Sequence, residues 1–316
     1  MQDAATEIGS SQGQVFVRGE ATLRHAMPLL ALLFASIALG FSAIFVKWAG
    51  VPGAASGFWR MVIATSLVAW PAWRGIRRAW PLPRRHLGLA VLAGVLFTGD
   101  LTAWNSGVLV GSAANATLLA NTSPVWVAIG AVIVFRARLR LSFWGGLALA
   151  MAGVSVIVVR DLGHHASLAA GDLLGLLAGL FYGTFFLPSQ SARRRLGALV
   201  AWWVAAASSM VGLLIVSLVM RQPLWGYPAS SWACLAAVAL VTQIGGYVSI
   251  NYALGHLPAT LVAPILLLQP VVTALLAWPL LGEPLAAGQV AGGVLVLVGI
   301  AVVHRAHAEP DPGASA

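Results

Sequence analysis

Ten apolar stretches, each near twenty residues long and separated by short polar or basic turns, leave this sequence few ways to fold. They run over about 28–47, 56–73, 87–107, 112–135 and 142–159, then 172–191, 198–218, 232–253, 259–280 and 285–303. About 20 mostly apolar residues make a helix that crosses the hydrocarbon of a bilayer. Only 9% of the 316 residues are charged, where a soluble domain carries about a quarter. Inside lipid the backbone must satisfy its own hydrogen bonds, which a helix does. The expected fold is therefore all-α and integral to a membrane, with ten transmembrane helices. Residues 1–26 read as a polar tail without an apolar signal core, and 306–316 as a second tail.

The net charge of +9 does not point to nucleic acid, because the basic residues sit in short clusters between the apolar stretches. With a cytoplasmic N-terminus, the inner segments hold Arg18, Arg24, Arg74, Arg77, Arg78, Arg84, Arg85, Arg136, Arg138, Arg140, Arg193, Arg194, Arg195 and Arg305. The outer segments hold Lys47, Arg160 and Arg221, and Arg60 falls inside a stretch. An excess of Lys and Arg on the cytoplasmic side is the usual orientation signal. It predicts both termini in the cytoplasm.

Sliding the sequence against itself by 146 residues superposes Asn105 on Asn251, Pro124 on Pro270, Gly146 on Gly292 and Gly153 on Gly299. The register needs no gap. Each copy holds five stretches, an odd number, so the second copy enters the membrane from the opposite side. Residues 27–165 and 166–305 are thus expected to form two inverted five-helix repeats, with a binding site near the midplane between them.

The Gly/Ser-rich run Ala35–Ser42, the Phe58-Trp59-Arg60 opening of the second helix, the paired Ser123-Pro124 and Gln269-Pro270, and Gly282-Glu283-Pro284 before a Gly-rich last helix resemble the drug/metabolite transporter superfamily, in its ten-helix EamA-type branch. The resemblance covers nearly all of 28–304. Where the second half has Gly-Glu-Pro, the first has Arg136-Ala137-Arg138, so one copy lacks the acidic turn. The resemblance implies an inner-membrane exporter or exchanger of amino acids and related metabolites. The abundance of aromatics is most similar to aromatic amino acid exporters of the YddG type.

Polar side chains at midplane depth must face protein or a water-filled cavity. That criterion selects Ser42, Thr98, Asp100, Asn121, Ser123, Tyr182, Gln243, Tyr247 and Gln269 as substrate-binding candidates, joined by Trp104 and Phe186 as rings for stacking. Hydrogen bonds between helices and plain packing are the alternative uses of these residues. Thr117, Asn121 and Pro124 share one helical face. Asp100 and Arg60 stand at similar depths from the outer face, which allows a structural ion pair or, for Asp100, contact with a substrate ammonium or a proton. Gly175, Gly179 and Gly183 form a small-residue stripe for close helix packing. Pro124 and Pro270, equivalent in the two copies, are expected hinges of gating. Trp48, Trp59, Trp70, Trp73, Trp80, Trp202, Trp203, Trp225, Trp232 and Trp278 fall at stretch ends and read as an interfacial belt.

Asp100 is the only acid well inside a stretch, with Asp172 at the very start of another. The stretches hold no histidine, and the chain has a single cysteine, Cys234. No metal set or catalytic dyad is expected, no cofactor, and no enzyme. No pair of cavity-depth arginines is available to grip a phosphate. The expected function is secondary transport of a neutral or zwitterionic solute, best an aromatic or other apolar amino acid, by alternating access. A passive metabolite channel and a nucleotide-sugar or sugar-phosphate exchanger are the alternatives. The partners are the solute and the bilayer, with a monomer or weak homodimer expected.

Overall fold

The computed structural model describes residues 26–42, 44–46, 48–110, 119–158, 169–281 and 287–308. Gly282-Glu283-Pro284, Thr117, Lys47, Arg160 and the expected boundary between repeats lie outside the described residues. Everything described is helix or short connection, with no strand among it. The helices are α1 (Ala26–Val46), α2 (Gly53–Ala79), α3 (Arg84–Val110), α4 (Ser123–Phe135), α5 (Leu141–Val158), α6 (Ala169–Leu196) and α7 (Ala198–Val219). They continue as α8 (Ala229–Ala253), α9 (Ala259–Ile265), α10 (Leu268–Leu281) and α11 (Ala287–Ala308).

Five of these are long and apolar enough to cross a membrane: Ala26–Val46, Arg84–Gly107, Leu173–Leu196, Ala198–Val219 and Ala229–Ala253. Ser123–Phe135, Leu141–Val156 and Val290–Ala306 are apolar but shorter. α2 has the length, 27 residues, but Arg60 and its tryptophans lower its hydropathy. Its exposed side is apolar, as a lipid-facing surface is: Leu67 and Trp70 are bare, and so are Val95 on α3 and Leu218 on α7.

Local sequence sets the ends. Gly50, in the left-handed region at φ +59°, and Pro52 separate α1 from α2. Gly197 at φ +77° turns α6 into α7. Arg77 and Arg78 close α2, and Arg193, Arg194 and Arg195 close α6, where cations favour the helix dipole.

Small residues decide which helices touch. α3 packs along α6 and α7, α2 along α7, and α5 along α11. A Cβ on Gly94 would lie 2.2 Å from the Ala205 carbonyl oxygen, so only glycine lets α3 approach α7 that closely. On the α5–α11 seam, a Cβ on Gly146 would lie 3.0 Å from the Gly299 oxygen, and one on Gly153 2.5 Å from the Gly292 oxygen. Gly146 superposes on Gly292 and Gly153 on Gly299 in the 146-residue register, so the contact is reciprocal and the two helices run antiparallel. Asn105 and Asn251 also behave alike: each Nδ2 donates to the carbonyl four residues back, Leu101 at 2.7 Å and Tyr247 at 3.0 Å.

The expected proline kinks take a different form. A turn at Asn121–Thr122 precedes α4, and a turn at Leu266–Leu267 divides α9 from α10. Pro124 and Pro270 then stand in the first turn of the helix that follows, where a missing N–H costs nothing. Trp202 is also reassigned: it is 3% exposed and belongs to the core, not to an interfacial belt.

Candidate functional site

Four helices turn chemically marked faces toward one another. Phe97 and Asp100, three residues apart, share a face of α3. Tyr182, Phe185 and Phe186 occupy one turn of α6. Gln243 and Tyr247, four apart, share a face of α8, and Arg60 enters from α2. Arg60, Phe97, Asp100, Phe185, Phe186, Gln243 and Tyr247 are all buried, and Tyr182 half-buried.

The rings form one connected cluster. The Phe97 centroid lies 4.8 Å from Tyr247, edge-on, and 5.1 Å from Phe185. Tyr182 stacks on Phe185 at 6.2 Å and meets Phe186 edge-on at 5.0 Å and Tyr247 at 6.4 Å. Such spacings are those of favourable aromatic pairs. The charged groups stand beside the rings: Arg60 interacts electrostatically with Tyr247, Asp100 and Tyr182.

Three buried polar atoms in this region complete no hydrogen bond of normal geometry: Arg60 Nε, Gln243 Oε1 and the Tyr182 hydroxyl, which has the Tyr247 phenol beside it. Leaving a buried polar group unmet costs about 1–3 kcal/mol, and more when it is charged. Gln243 also belongs to a π-helical segment, Val238–Gly246, in the middle of α8. Such segments recur at functional sites because the extra residue re-aims side chains. The arrangement presents an apolar, ring-lined wall with unsatisfied donors and acceptors beside it.

Of the substrate-binding candidates, Asp100, Tyr182, Phe186 and Tyr247 therefore come together, and Gln243 lies one turn from Tyr247 on the same helix. Thr98 points elsewhere: its hydroxyl bonds to the Gly94 carbonyl at 3.0 Å and to Ser209 of α7 at 3.3 Å. Gln269 Nε2 donates to the Leu39 carbonyl at 3.4 Å, tying α10 to α1. Ser123 is buried, and its carbonyl abuts Gly183; Gly179 abuts the Leu119 carbonyl, and Gly175 is buried. Ser42 is buried on α1, Asn121 half-buried in the turn before α4, and Trp104 half-buried one turn beyond Asp100. Phe97 escaped the sequence reading. Its signal was position: three residues before Asp100, on the same face.

Above the cluster, near the start of α2, lies a second group of rings. Trp59 Nε1 donates to the Leu224 carbonyl at 2.7 Å, and its ring meets Trp225 at 4.5 Å and Trp232 at 5.0 Å. Gln222 Oε1 accepts from the Ala55 N–H at 3.0 Å, clamping the α7–α8 connection onto α2. Partial burial in this connection pushes the Tyr227 phenol up from its ordinary pKa. At the opposite end, Arg193 is buried and donates to the Asn251 carbonyl at 2.8 Å, while Gln190 Oε1 accepts from the Ala259 N–H at 3.4 Å. Among the described residues no group of His, Cys, Asp and Glu is arranged to hold a metal.

Residues 26–159 and 169–305 each match the model of the EamA-like transporter family. A Salmonella typhimurium protein named as a probable amino-acid metabolite efflux pump is 33% identical over 186 residues, covering 55% of this chain and 61% of that relative. A probable terminal-alkyne amino-acid exporter of Streptantibioticus cattleyicolor is 27% identical over 90% of this chain and 94% of its own. A pseudopaline exporter of Pseudomonas aeruginosa is 26% identical over 88% of this chain and 95% of its own. A solved crystal structure shares the fold with a TM-score of 0.75 at 15% identity, covering 88% of this chain and 96% of that one.

Proposed function

The chain belongs to the EamA-like transporter family, and from that premise we propose that it exports small neutral or zwitterionic metabolites, foremost aromatic or other bulky apolar amino acids, by alternating access. It is a multi-pass membrane transporter and not an enzyme. The observation that carries the substrate reading is the cluster of Phe97, Tyr182, Phe185, Phe186 and Tyr247 beside Arg60, Asp100 and Gln243. Rings suit an apolar side chain, and a few convergent polar groups suit a small polar head. The relatives named as exporters of amino-acid metabolites support the same class.

The architecture we propose has ten transmembrane spans in two inverted repeats, with α9 and α10 as halves of one span. The reciprocal Gly146–Gly299 and Gly153–Gly292 contacts support it, because a two-fold axis across antiparallel partners produces that pairing. The turns before Pro124 and before Pro270 support it as well. Each repeat thus has a turn just before its proline, and interrupted helices are a mark of transporter cores. In this reading Pro124 and Pro270 flank the hinges. The arginine asymmetry supports placing both termini in the cytoplasm, and the bacterial relatives named as exporters support an inner-membrane location.

The test is counterflow into proteoliposomes holding the purified chain, against a panel of amino acids, nucleosides and sugar phosphates. Saturable exchange of phenylalanine, tyrosine, tryptophan or leucine is expected. Flux that does not saturate or exchange would mean a channel, and sugar-phosphate exchange a different carrier. The same assay on the Pro124→Ala/Pro270→Ala variant should show slowed exchange; an unchanged rate removes the hinges.

A further inference from the structure

The unmet polar atoms sort by chemistry. Arg60 Nε and the Tyr182 hydroxyl are donors; Gln243 Oε1 is an acceptor, and ionised Asp100 accepts only. Both kinds stand against one wall of rings, and Arg60 lies within electrostatic reach of Asp100, Tyr182 and Tyr247. A guanidinium whose Nε edge is unused has half of the fork with which arginine grips a carboxylate. Asp100 and Gln243 stand on helices that meet at the Phe97–Tyr247 contact, each within about a turn of it, and a carboxylate and an amide oxygen together seat an ammonium. An isolated charge on a solute leaves one member of the set uncompensated, whereas a zwitterion answers both.

Resting on the proposed transport function, we propose that the solute is recognised as an intact zwitterion. Its carboxylate binds Arg60 and the Tyr182 hydroxyl, its ammonium binds Asp100 and Gln243, and its side chain lies on Phe97, Phe185 and Tyr247. The requirement for both head groups is the new claim. It turns Arg60 and Asp100 from a pair that neutralises itself into a pair that measures the solute.

The test is competition for L-phenylalanine counterflow by phenethylamine, which lacks the carboxylate, and by 3-phenylpropionate, which lacks the ammonium. With the unmodified chain each should compete at least about tenfold more weakly than L-phenylalanine, because each leaves a buried group unpaired. Arg60→Gln should narrow the gap for phenethylamine and keep that for 3-phenylpropionate, and Asp100→Asn should do the reverse. Equal competition by both analogues overturns the inference while leaving amino acid transport standing. So does a folded Arg60→Asp/Asp100→Arg exchange that restores the original transport and selectivity, since a purely structural pair survives a swap. A folded exchange variant without transport supports the inference. Where single variants fail to fold, the analogue panel on the unmodified chain decides alone. If another amino acid is exchanged and phenylalanine is not, its own decarboxylated and deaminated analogues take the same places. Absence of exchange for every amino acid overturns the proposed function, and this inference with it.

Discussion

Thr98 and Tyr182 show how far polarity and depth in a sequence can be trusted. Both are hydroxyl-bearing residues deep in apolar helices, and the same criterion selects both. Thr98 spends its hydroxyl on Gly94 and Ser209, whereas the Tyr182 hydroxyl has the Tyr247 phenol beside it and completes no hydrogen bond of normal geometry. Opposite consequences follow from removing them. Thr98→Val should lower stability by about 0.6 kcal/mol, the average for an interhelical hydrogen bond in a membrane, with KM unchanged. Tyr182→Phe should leave thermal stability unchanged or slightly raised, because an unmet hydroxyl disappears, while KM for the solute rises. Thermal unfolding in detergent and counterflow kinetics on the two variants separate these outcomes; a fall in stability for Tyr182→Phe would show its hydroxyl to be structural. Asp100, Gln243 and Tyr247 were legible because polarity in lipid demands a reason. Phe97 was not, since an apolar ring in an apolar helix carries no such signal until a charged neighbour on its face is noticed. Arg193 was read from a count of basic residues, and the count could not tell its burial against Asn251 from the exposure of Arg194 and Arg195.

At the scale of helices, hydropathy located the elements and glycine paired them. Most apolar stretches overlap a single helix where those residues are described, while 112–135 is interrupted at Asn121–Thr122 and 259–280 at Leu266–Leu267. The break at Leu266–Leu267 was illegible, since no apolar residue there announces a turn; Pro270 three residues on was the hint. The glycines of α5 and α11 were found as matches at a fixed offset, and the structure gives that match a use at one seam. Gly299→Val should therefore destabilise the fold by about 1–3 kcal/mol, since its Cβ would press on Ala150 and on the Gly146 carbonyl. Gly145→Ala, one residue from Gly146 with nothing within 4 Å of an added Cβ, should not. Thermal unfolding of the two variants side by side is the check, and equal stability would mean that the seam yields by sliding.

The whole molecule adds what neither a residue nor a helix has, which is a direction. The arginine-rich ends of α2 and α6 carry the inner face in our reading. At the α2 end, Arg74 lies over Trp70 and Arg77 over Trp73 at about 5 Å, with both rings exposed as interfacial anchors are. In the same reading the α7–α8 connection, with Trp225 against Trp59, carries the outer face. Ten spans keep those two features on opposite sides, whereas one span more or fewer in the first half would set the α2 end and the α7–α8 connection on the same side. The lone Cys234 makes the question simple to ask. On a Cys234→Ser background, Arg78→Cys in inside-out vesicles should react with a membrane-impermeant maleimide, and Ser230→Cys in intact cells should react likewise. Each should be protected in the opposite preparation, and both positions are exposed, so failure to label is not burial. Labelling of both from one side would break the ten-span count, and with it the inverted relation of the repeats. Reversal of both would keep the count and turn the exporter around.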